Sequence, residues 1–292
     1  MTTKSYLKKN MKSISGKTIA ISGATGGLGS SICHILAANG ANIILIDRNN
    51  EKQAALITTL KQKYPSATFD GLLADMEDIN SVKRLAETLS EQPLHALILN
   101  AGAYSIPRHK TNIGYDNVFT INFISPYYLT KALLPHIKEN NGRIIAVGSI
   151  AHNYSKIDEN DIDFGHKRKS SLVYGNSKRY LMYSLSSLAN ESEPIIISHP
   201  GISFTGITAH YPKLIFAIIK YPMKLIFMKP KCACLSIVQG LFTTPKPFYW
   251  LGPRYFSIWG LPKISKLSSA NEREILFIKN TAEKIYNNLN AN

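Results

Sequence analysis

The sequence predicts an α/β protein whose main domain is a doubly wound parallel sheet. Three observations carry that prediction. Short apolar segments alternate with helix-patterned ones from residue 17 to about residue 200. Several of these segments are continuous apolar runs, Ile43-Ile44-Leu45-Ile46 being the clearest, as strands covered on both faces require. A glycine-rich turn, Gly23-Ala24-Thr25-Gly26-Gly27-Leu28-Gly29, joins the first run to the first helical pattern. Strands that alternate with helices pair in parallel through right-handed crossovers.

The first strand is expected over 17–22, and a helix over 26–39 that Gly40 ends. A strand over 42–46 and a helix over 50–63, stopped before Pro65, come next. Strand 67–73, helix 78–90 and strand 94–99 continue the alternation, then a long helix near 114–138 and strand 142–148. A charged loop leads to helix 172–190 and strand 194–199. After residue 205 the rhythm breaks. Residues 205–230 are apolar, basic and aromatic, 231–242 read as a helix, and 247–251 as a last strand. The final helix, 271–290, opens on Asn271 and Glu274 in a capping-box-like arrangement. Ile275, Ile278, Ala282, Ile285 and Leu289 then form one apolar stripe. Residues 1–15 read as a basic, poorly ordered lead-in. Residues 16–292 form the Rossmann-type domain, with 205–230 as a lid.

With 45% hydrophobic and 18% charged residues in 292, the chain can bury a full core and is not disordered. Three cysteines are too few and too odd for a disulfide scaffold, so a reducing, cytoplasmic setting is expected. The most lipid-like stretch, 214–228, is interrupted by Lys220 and Lys224 and falls short of a spanning helix. Lys4, Lys8, Lys9 and Lys12 precede no apolar run of signal-peptide type. The net charge of +15 is unevenly spread. Residues 1–17 hold five lysines and no acid, and residues 194–271 hold nine Lys or Arg and no acid. A near-neutral body thus carries a basic skirt. Anionic lipid, nucleic acid and acidic small molecules are the partners a skirt attracts.

The glycine turn sits where a strand meets a helix. Missing side chains there let backbone amides approach a pyrophosphate, and the helix N-terminus adds partial positive charge. Asp47, 18 residues past Gly29, ends the second strand, where a carboxylate can accept from both ribose hydroxyls. It would repel a 2′-phosphate, whereas the adjacent Arg48 would favour one. Asp47 is weighted more, so NAD(H) is expected to be preferred over NADP(H).

Further motifs follow in order. Asp75 and Met76 follow the third strand, and Asn100-Ala101-Gly102 closes the fourth. Asn122 lies in the long helix and Ser149 closes the fifth strand. Tyr174-x-x-x-Lys178 opens the next helix, and Pro200-Gly201, with Thr205 four residues on, closes the sixth strand. Together with Gly-x-x-x-Gly-x-Gly, they make the chain resemble the short-chain dehydrogenase/reductase family over about residues 15–290. The resemblance implies an oxidoreductase that uses a nicotinamide dinucleotide. It implies cofactor contacts from Gly23, Thr25, Gly26, Gly27, Leu28, Gly29, Asp47 and Arg48. Asp75, at the adenine, and Met76 would add to these, with Asn100, Ala101, Gly102, Pro200, Gly201 and Thr205. Lys178 would hold the nicotinamide ribose beside Tyr174, and Asn122 a water linking Lys178 to solvent. The Ser149 to Tyr174 spacing is longer than in many members. With Ser149-Ile150-Ala151-His152 and Phe248-Tyr249-Trp250-Leu251-Gly252-Pro253, it resembles the retinol dehydrogenase-like branch. Asp47 departs from that branch's NADP-using members.

Hydride transfer between a carbinol and nicotinamide needs a proton donor or acceptor at the substrate oxygen. A free tyrosine, with a pKa near ~10, is a poor base, and a neighbouring ammonium lowers that pKa. Tyr174 and Lys178, four apart, share a helix face. Ser149 would donate to the reacting oxygen. His152 and His199 read as structural. Cys232 and Cys234 read as small helix residues, so no metal is expected.

The 205–230 lid suits an apolar substrate: a steroid, a retinoid-like molecule, or a long-chain alcohol or ketone. Its interleaved Lys213, Lys220, Lys224, Lys229 and Lys231 suit peripheral contact with an anionic membrane. Nucleic-acid binding is not expected, since no such motif occurs. Tyr127, Tyr128, Tyr180 and Tyr183 suit either a core or a homodimer or homotetramer interface. The competing reading is a catalytically silent protein that senses the dinucleotide. A longer-chain sugar-nucleotide epimerase or dehydratase would need a larger domain after the sixth strand.

Overall fold

The computed structural model describes residues 3–189, 193–201 and 228–291. Among them, eight strands form one sheet: β1 (Thr18–Ser22), β2 (Asn42–Asp47), β3 (Phe69–Leu73), β4 (Ala96–Leu99), β5 (Arg143–Val147), β6 (Ile195–Ser198), β7 (Tyr249–Tyr255) and β8 (Trp259–Lys266). Their spatial order is β3-β2-β1-β4-β5-β6-β7-β8. Every neighbouring pair is parallel except the β7–β8 hairpin. The order reverses between β1 and β4, which opens a crevice at the carboxyl ends of those strands, where ligands of such sheets bind.

Alternate strand residues feed two cores, as the period of two demands. Ala20, Ile44 and Ile46 face one layer, and Ile19, Ile21, Ile43 and Leu45 the other. The first layer packs on α4 (Ile79–Ser90), α6 (Ser125–Glu139), α7 (Ser170–Leu188) and α9 (Glu272–Ala291). The second packs on α2 (Gly27–Ala37), α3 (Asn50–Lys63) and α8 (Pro230–Gly240). Each fully buried Ile or Leu contributes about 1.5–3 kcal/mol, so these two layers dominate stability.

Four features depart from the sequence expectation. The first fifteen residues are not an irregular lead-in: Thr3–Asn10 form α1, Tyr6 and Ile14 are buried, and the Tyr6 hydroxyl reaches Gln239 on α8 at 3.4 Å. Their charge hides an anchoring pattern of a few apolar residues between lysines. Next, the helix expected over 114–138 is divided. Asp116 caps α5 (Asn117–Phe119) by accepting from the Val118 amide at 3.0 Å. A π-turn, Thr120–Ile124, follows before α6. Pro126 has no N–H to give the Asn122 carbonyl four residues back, so a regular α-helical ladder fails here. Thirdly, β8 was not expected. Lys263, Lys266 and Pro262 obscure its alternation, although an edge strand favours such residues. Finally, Asn271 caps α9, accepting from the Glu274 amide at 2.9 Å, but the Glu274 carboxylate does not reach back. It accepts from Arg179 Nε at 2.6 Å and Nη2 at 2.7 Å.

That α9 contact bears on the tyrosines. Tyr127 donates to Glu283 at 2.7 Å, and Tyr128 to Asn290 at 3.1 Å. The Tyr183 hydroxyl accepts from the Ser269 and Ala270 amides, and Tyr180 is fully buried. Of the two settings these four tyrosines suited, the structure shows the core. The 205–230 lid lies mostly outside the described residues, as does Thr205.

Arg179 is 2% exposed, and its guanidinium also donates to the His152 carbonyl at 2.9 Å and the Ser269 carbonyl at 2.6 Å. Removing one partner of such a buried pair strands a charge. Glu274→Ala is therefore expected to lower unfolding free energy by about 3–5 kcal/mol in urea titrations; a loss below about 1 kcal/mol would mean the pair is not a keystone.

Candidate active site

The glycine turn lies at the crevice between β1 and β4. Ser22, at the end of β1, accepts from the amides of Asn100 and Ala101, both at 3.0 Å. Asn100 Nδ2 donates back to the Ser22 and Gly23 carbonyls at 3.0 and 3.1 Å. This reciprocal clasp holds the two strand ends together. Ser22 was not singled out in the sequence, since a serine ending a strand carries no distinctive signal. Gly26 caps α2 without a side chain, so the first amides of that helix face outward unpaired. Gly29 packs on the turn so closely that a Cβ there would lie 2.2 Å from the Gly23 carbonyl oxygen.

A cleft of about 260 Å³ opens beside this turn. It gathers Gly23, Asp47, Arg48, Asp75, Met76, Ala101 and Gly102, all expected, and adds Tyr104, Ile106 and Ile121. Asp47 Oδ2 accepts from the Thr25 hydroxyl at 2.6 Å and the Thr25 amide at 3.0 Å. Its Oδ1 accepts from the Arg48 amide at 2.9 Å. The Asn49 amide also donates to Oδ1 at 3.3 Å, so four local donors fix the carboxylate at the end of β2, and a ribose hydroxyl would share its oxygens with them. Arg48 is exposed at the rim. Asp75 Oδ1 accepts from the Glu77 amide at 2.9 Å, which orders the turn after β3. The uncapped start of α2, a glycine-rich turn and a fixed acid at the second strand's end fit a dinucleotide.

The cleft runs toward the second cluster. Tyr104 meets the Tyr174 ring edge-on at 5.2 Å. A Cβ on Gly102 would lie 3.7 Å from Lys178 Nζ and 3.0 Å from Asn122 Oδ1. Ser149 sits at the start of a short 3-10 turn, Ile150–Asn153, and its hydroxyl is hydrogen-bonded to Tyr174. Gly175, next to Tyr174, lets that turn approach α7, for a Cβ there would lie 2.6 Å from the Ala151 carbonyl oxygen. Lys178 is 4% exposed; Nζ donates to the Val147 carbonyl at 2.9 Å and lies 5.9 Å from the Tyr174 ring centre. Ser149, Tyr174, Lys178 and Asn122 therefore converge, as expected.

Their electrostatics differ in two ways from the sequence expectation. Burial pushes the Tyr174 phenol up to about 12, outweighing the Ser149 hydrogen bond that lowers it. Burial also pushes Lys178 down to about 8. The ammonium thus does not bring the phenol toward neutrality in the protein alone. Asn122, fully buried, accepts from the Ala103 amide at 2.9 Å and donates to the Ala103 carbonyl at 2.8 Å and the Ser177 hydroxyl at 3.1 Å. Its side chain thus clamps the β4 exit.

His152 and His199 are buried supports. His152 Nδ1 pairs with the Ser149 carbonyl at 2.7 Å, and His199 Nε2 with the Ser257 carbonyl at 3.0 Å. Burial lowers both to about 4, so they remain neutral. Pro200 and Gly201 follow β6 at the same sheet edge. Among the described residues, no group of three or more His, Cys, Asp or Glu is arranged to hold a metal ion, and no helix is long and apolar enough to cross a membrane.

A family model described as short chain dehydrogenase matches residues 17–161. The chain is 31% identical to the chloroplastic short-chain dehydrogenase TIC 32 A of Brassica napus over 247 residues, 78% of this chain and 74% of that protein. It is 29% identical to retinol dehydrogenase 12 of Mus musculus over 202 residues, 67% of this chain and 64% of that one. Among solved structures, the RhlG/NADP active-site complex of Pseudomonas aeruginosa aligns with a TM-score of 0.61 at 25% identity, covering 80% of this chain and 93% of that one.

Gly29→Ala forces the turn open. Overpacking of this kind costs about 1–3 kcal/mol, so NADH affinity by fluorescence titration should fall about tenfold or more, with an unchanged circular dichroism spectrum. Unaltered affinity would mean that this turn does not carry the cofactor.

Proposed function

Because the chain belongs to the short-chain dehydrogenase family, it is a nicotinamide dinucleotide-dependent oxidoreductase of the CH–OH/C=O pair; we propose that Tyr174 is its acid–base group and that its substrate is apolar. The observation that carries this reading is the convergence of Ser149, Tyr174 and Lys178 where the cleft ends at Gly102. When bound, the nicotinamide supplies or takes the hydride. Tyr174 gives its phenolic proton to a carbonyl oxygen, or receives one from a carbinol. Ser149 has one hydroxyl proton, which serves Tyr174 in the protein alone and turns to the reacting oxygen when substrate is bound. Lys178 uses one of its three N–H donors on Val147, leaving others for ribose hydroxyls. In reduction, the proton that Tyr174 gives up is replaced from solvent by way of Lys178, with a water at Asn122 as the link; in oxidation the flow reverses.

A phenol raised to about 12 stays protonated at neutral pH, ready to donate. That is the form a carbonyl substrate requires, whereas oxidation of a carbinol first requires the phenol to lose its proton. Apolar substrates are supported by Tyr104, which lines the cleft and meets the Tyr174 ring. The name of the mouse relative points the same way, toward retinol. Asp47, fixed by Thr25 at the rim, supports NAD(H) over NADP(H). A silent dinucleotide sensor would need none of the Ser149, Tyr174 and Lys178 arrangement.

Tyr174→Phe is expected to lower kcat for reduction of apolar ketones or aldehydes by about 10²-fold or more, with NADH binding intact. Wild-type activity that survives this change would remove Tyr174 from the reaction. In wild-type enzyme, kcat/KM for reduction should stay flat from pH 6 to 8. For oxidation it should climb about tenfold per unit, because the base must first lose a proton. Identical profiles in both directions would contradict the raised phenol. NADH should exceed NADPH in kcat/KM by about tenfold, an advantage that Asp47→Ser abolishes.

A further inference from the structure

The β7–β8 hairpin projects from the sheet edge that carries the cleft. Because β7 runs parallel to β6, its carboxyl end lies at the same edge as Pro200 and Gly201. Contacts fix it there: the Ser257 carbonyl pairs with His199, and a Cβ on Gly201 would lie 2.6 Å from the Ile258 carbonyl oxygen. The chain leaves the described residues at Gly201 and re-enters at Met228 beside this tip, for the same Cβ would lie 3.1 Å from Met228 Sδ.

The tip is unusual in two independent respects. It exposes a cluster of aromatic rings: Tyr255 at 58%, Phe256 at 81% and Trp259 at 37%. It also bends in the wrong residues. The Ile258 amide donates to the Tyr255 carbonyl at 2.9 Å, with φ +50° at Phe256 and +56° at Ser257. Two positive φ values in such a turn favour Asn-Gly, and a phenylalanine there is strained. At 81% exposure the Phe256 ring adds little to the protein's own core. Folding alone does not account for it.

Next to the rings Arg254 is exposed, and Lys263, paired with Gly252, and Lys266, paired with Tyr249, are exposed farther along the hairpin, within the stretch 194–271 that holds no acid. A second copy of the chain is not the natural occupant: lysines and Pro262 on β8 oppose strand addition at that edge. Aromatic rings at the tip of an acid-free, basic hairpin match the boundary between anionic headgroups and acyl chains. We propose that the β7–β8 tip is an interfacial anchor for an anionic lipid surface. It holds the mouth of the cleft at the bilayer, where apolar substrates partition; that last clause rests on the proposed substrate class, and the anchor itself does not.

The test is flotation of the full chain with vesicles of mixed phosphatidylcholine and phosphatidylglycerol, beside pure phosphatidylcholine vesicles. The variant is Phe256→Asn with Ser257→Gly, which suits the turn and removes the ring. Wild type should float with the mixed vesicles, less at raised salt, and far less with pure phosphatidylcholine. The variant should bind the mixed vesicles at least about tenfold more weakly. It should melt no lower than wild type and keep NADH binding and turnover of a water-soluble ketone. Equal flotation of variant and wild type, or none by wild type, would overturn the anchor. So would a Phe256-dependent self-association or DNA binding without vesicle binding. Failure of every apolar ketone as a substrate, with flotation intact, would strike the proposed substrate and leave the anchor standing.

Discussion

A buried ammonium with no carboxylate beside it is the constraint around which one edge of this sheet is organised. Lys178 is 4% exposed, and among the described residues no ion pair includes it. Its one protein partner of note is the Val147 carbonyl at the end of β5. The drop of its pKa from 10.5 to about 8 corresponds to about 3 kcal/mol against folding while the group stays charged. A fold selected for stability alone would fill this position with an apolar side chain. The cost makes sense where a cation must face a phenol and a cofactor's hydroxyls.

The surroundings hold that cation and phenol still. Ser22 and Asn100 lock β1 to β4, so that Gly102 borders Lys178. Asn122 clamps Ala103 and Ser177 from a π-turn that Pro126 makes necessary. On the far side, Arg179 follows Lys178 in α7 and ties the 3-10 turn bearing Ser149 to Glu274 on α9. Two successive residues of α7, pointing to different sides of the helix, therefore present a lysine to the chemistry and an arginine to the support. Such a scaffold keeps the reacting groups in register without relying on the neighbouring loops.

Much of this was legible in the residues. The apolar runs and the glycine turn revealed the parallel sheet because burial on both faces leaves a strong pattern. Asp47, Asn100 and Ser149 sit at strand ends, and Tyr174 and Lys178 one helical turn apart, where position and spacing predict proximity. Less visible were features whose signal is not periodic. Ser22, Tyr104 and Gly175 act through three-dimensional neighbours far away in sequence. The α1 anchor hides among lysines, and β8 hides because edge strands are built to look polar. The Asn271–Glu274 pair read as a local capping box, but a buried arginine from α7 outcompetes the local amide for the carboxylate. The tyrosines of α6 and α7 fitted a core or an interface equally well until α9 was seen to cover them.

The central claim, that a buried unpaired cation is kept for chemistry, is tested most directly by the pH dependence of stability in Lys178→Met against wild type. In wild type the folded pKa lies below the unfolded one. The penalty is therefore full below about pH 8 and fades as pH rises toward 10.5. The stranded Val147 carbonyl offsets part of the gain. Lys178→Met should thus be more stable than wild type by about 1–2 kcal/mol at pH 7, with the advantage shrinking between pH 8 and 10. A variant that is less stable at pH 7, with a difference that does not change with pH, would contradict the account and make Lys178 a structural residue.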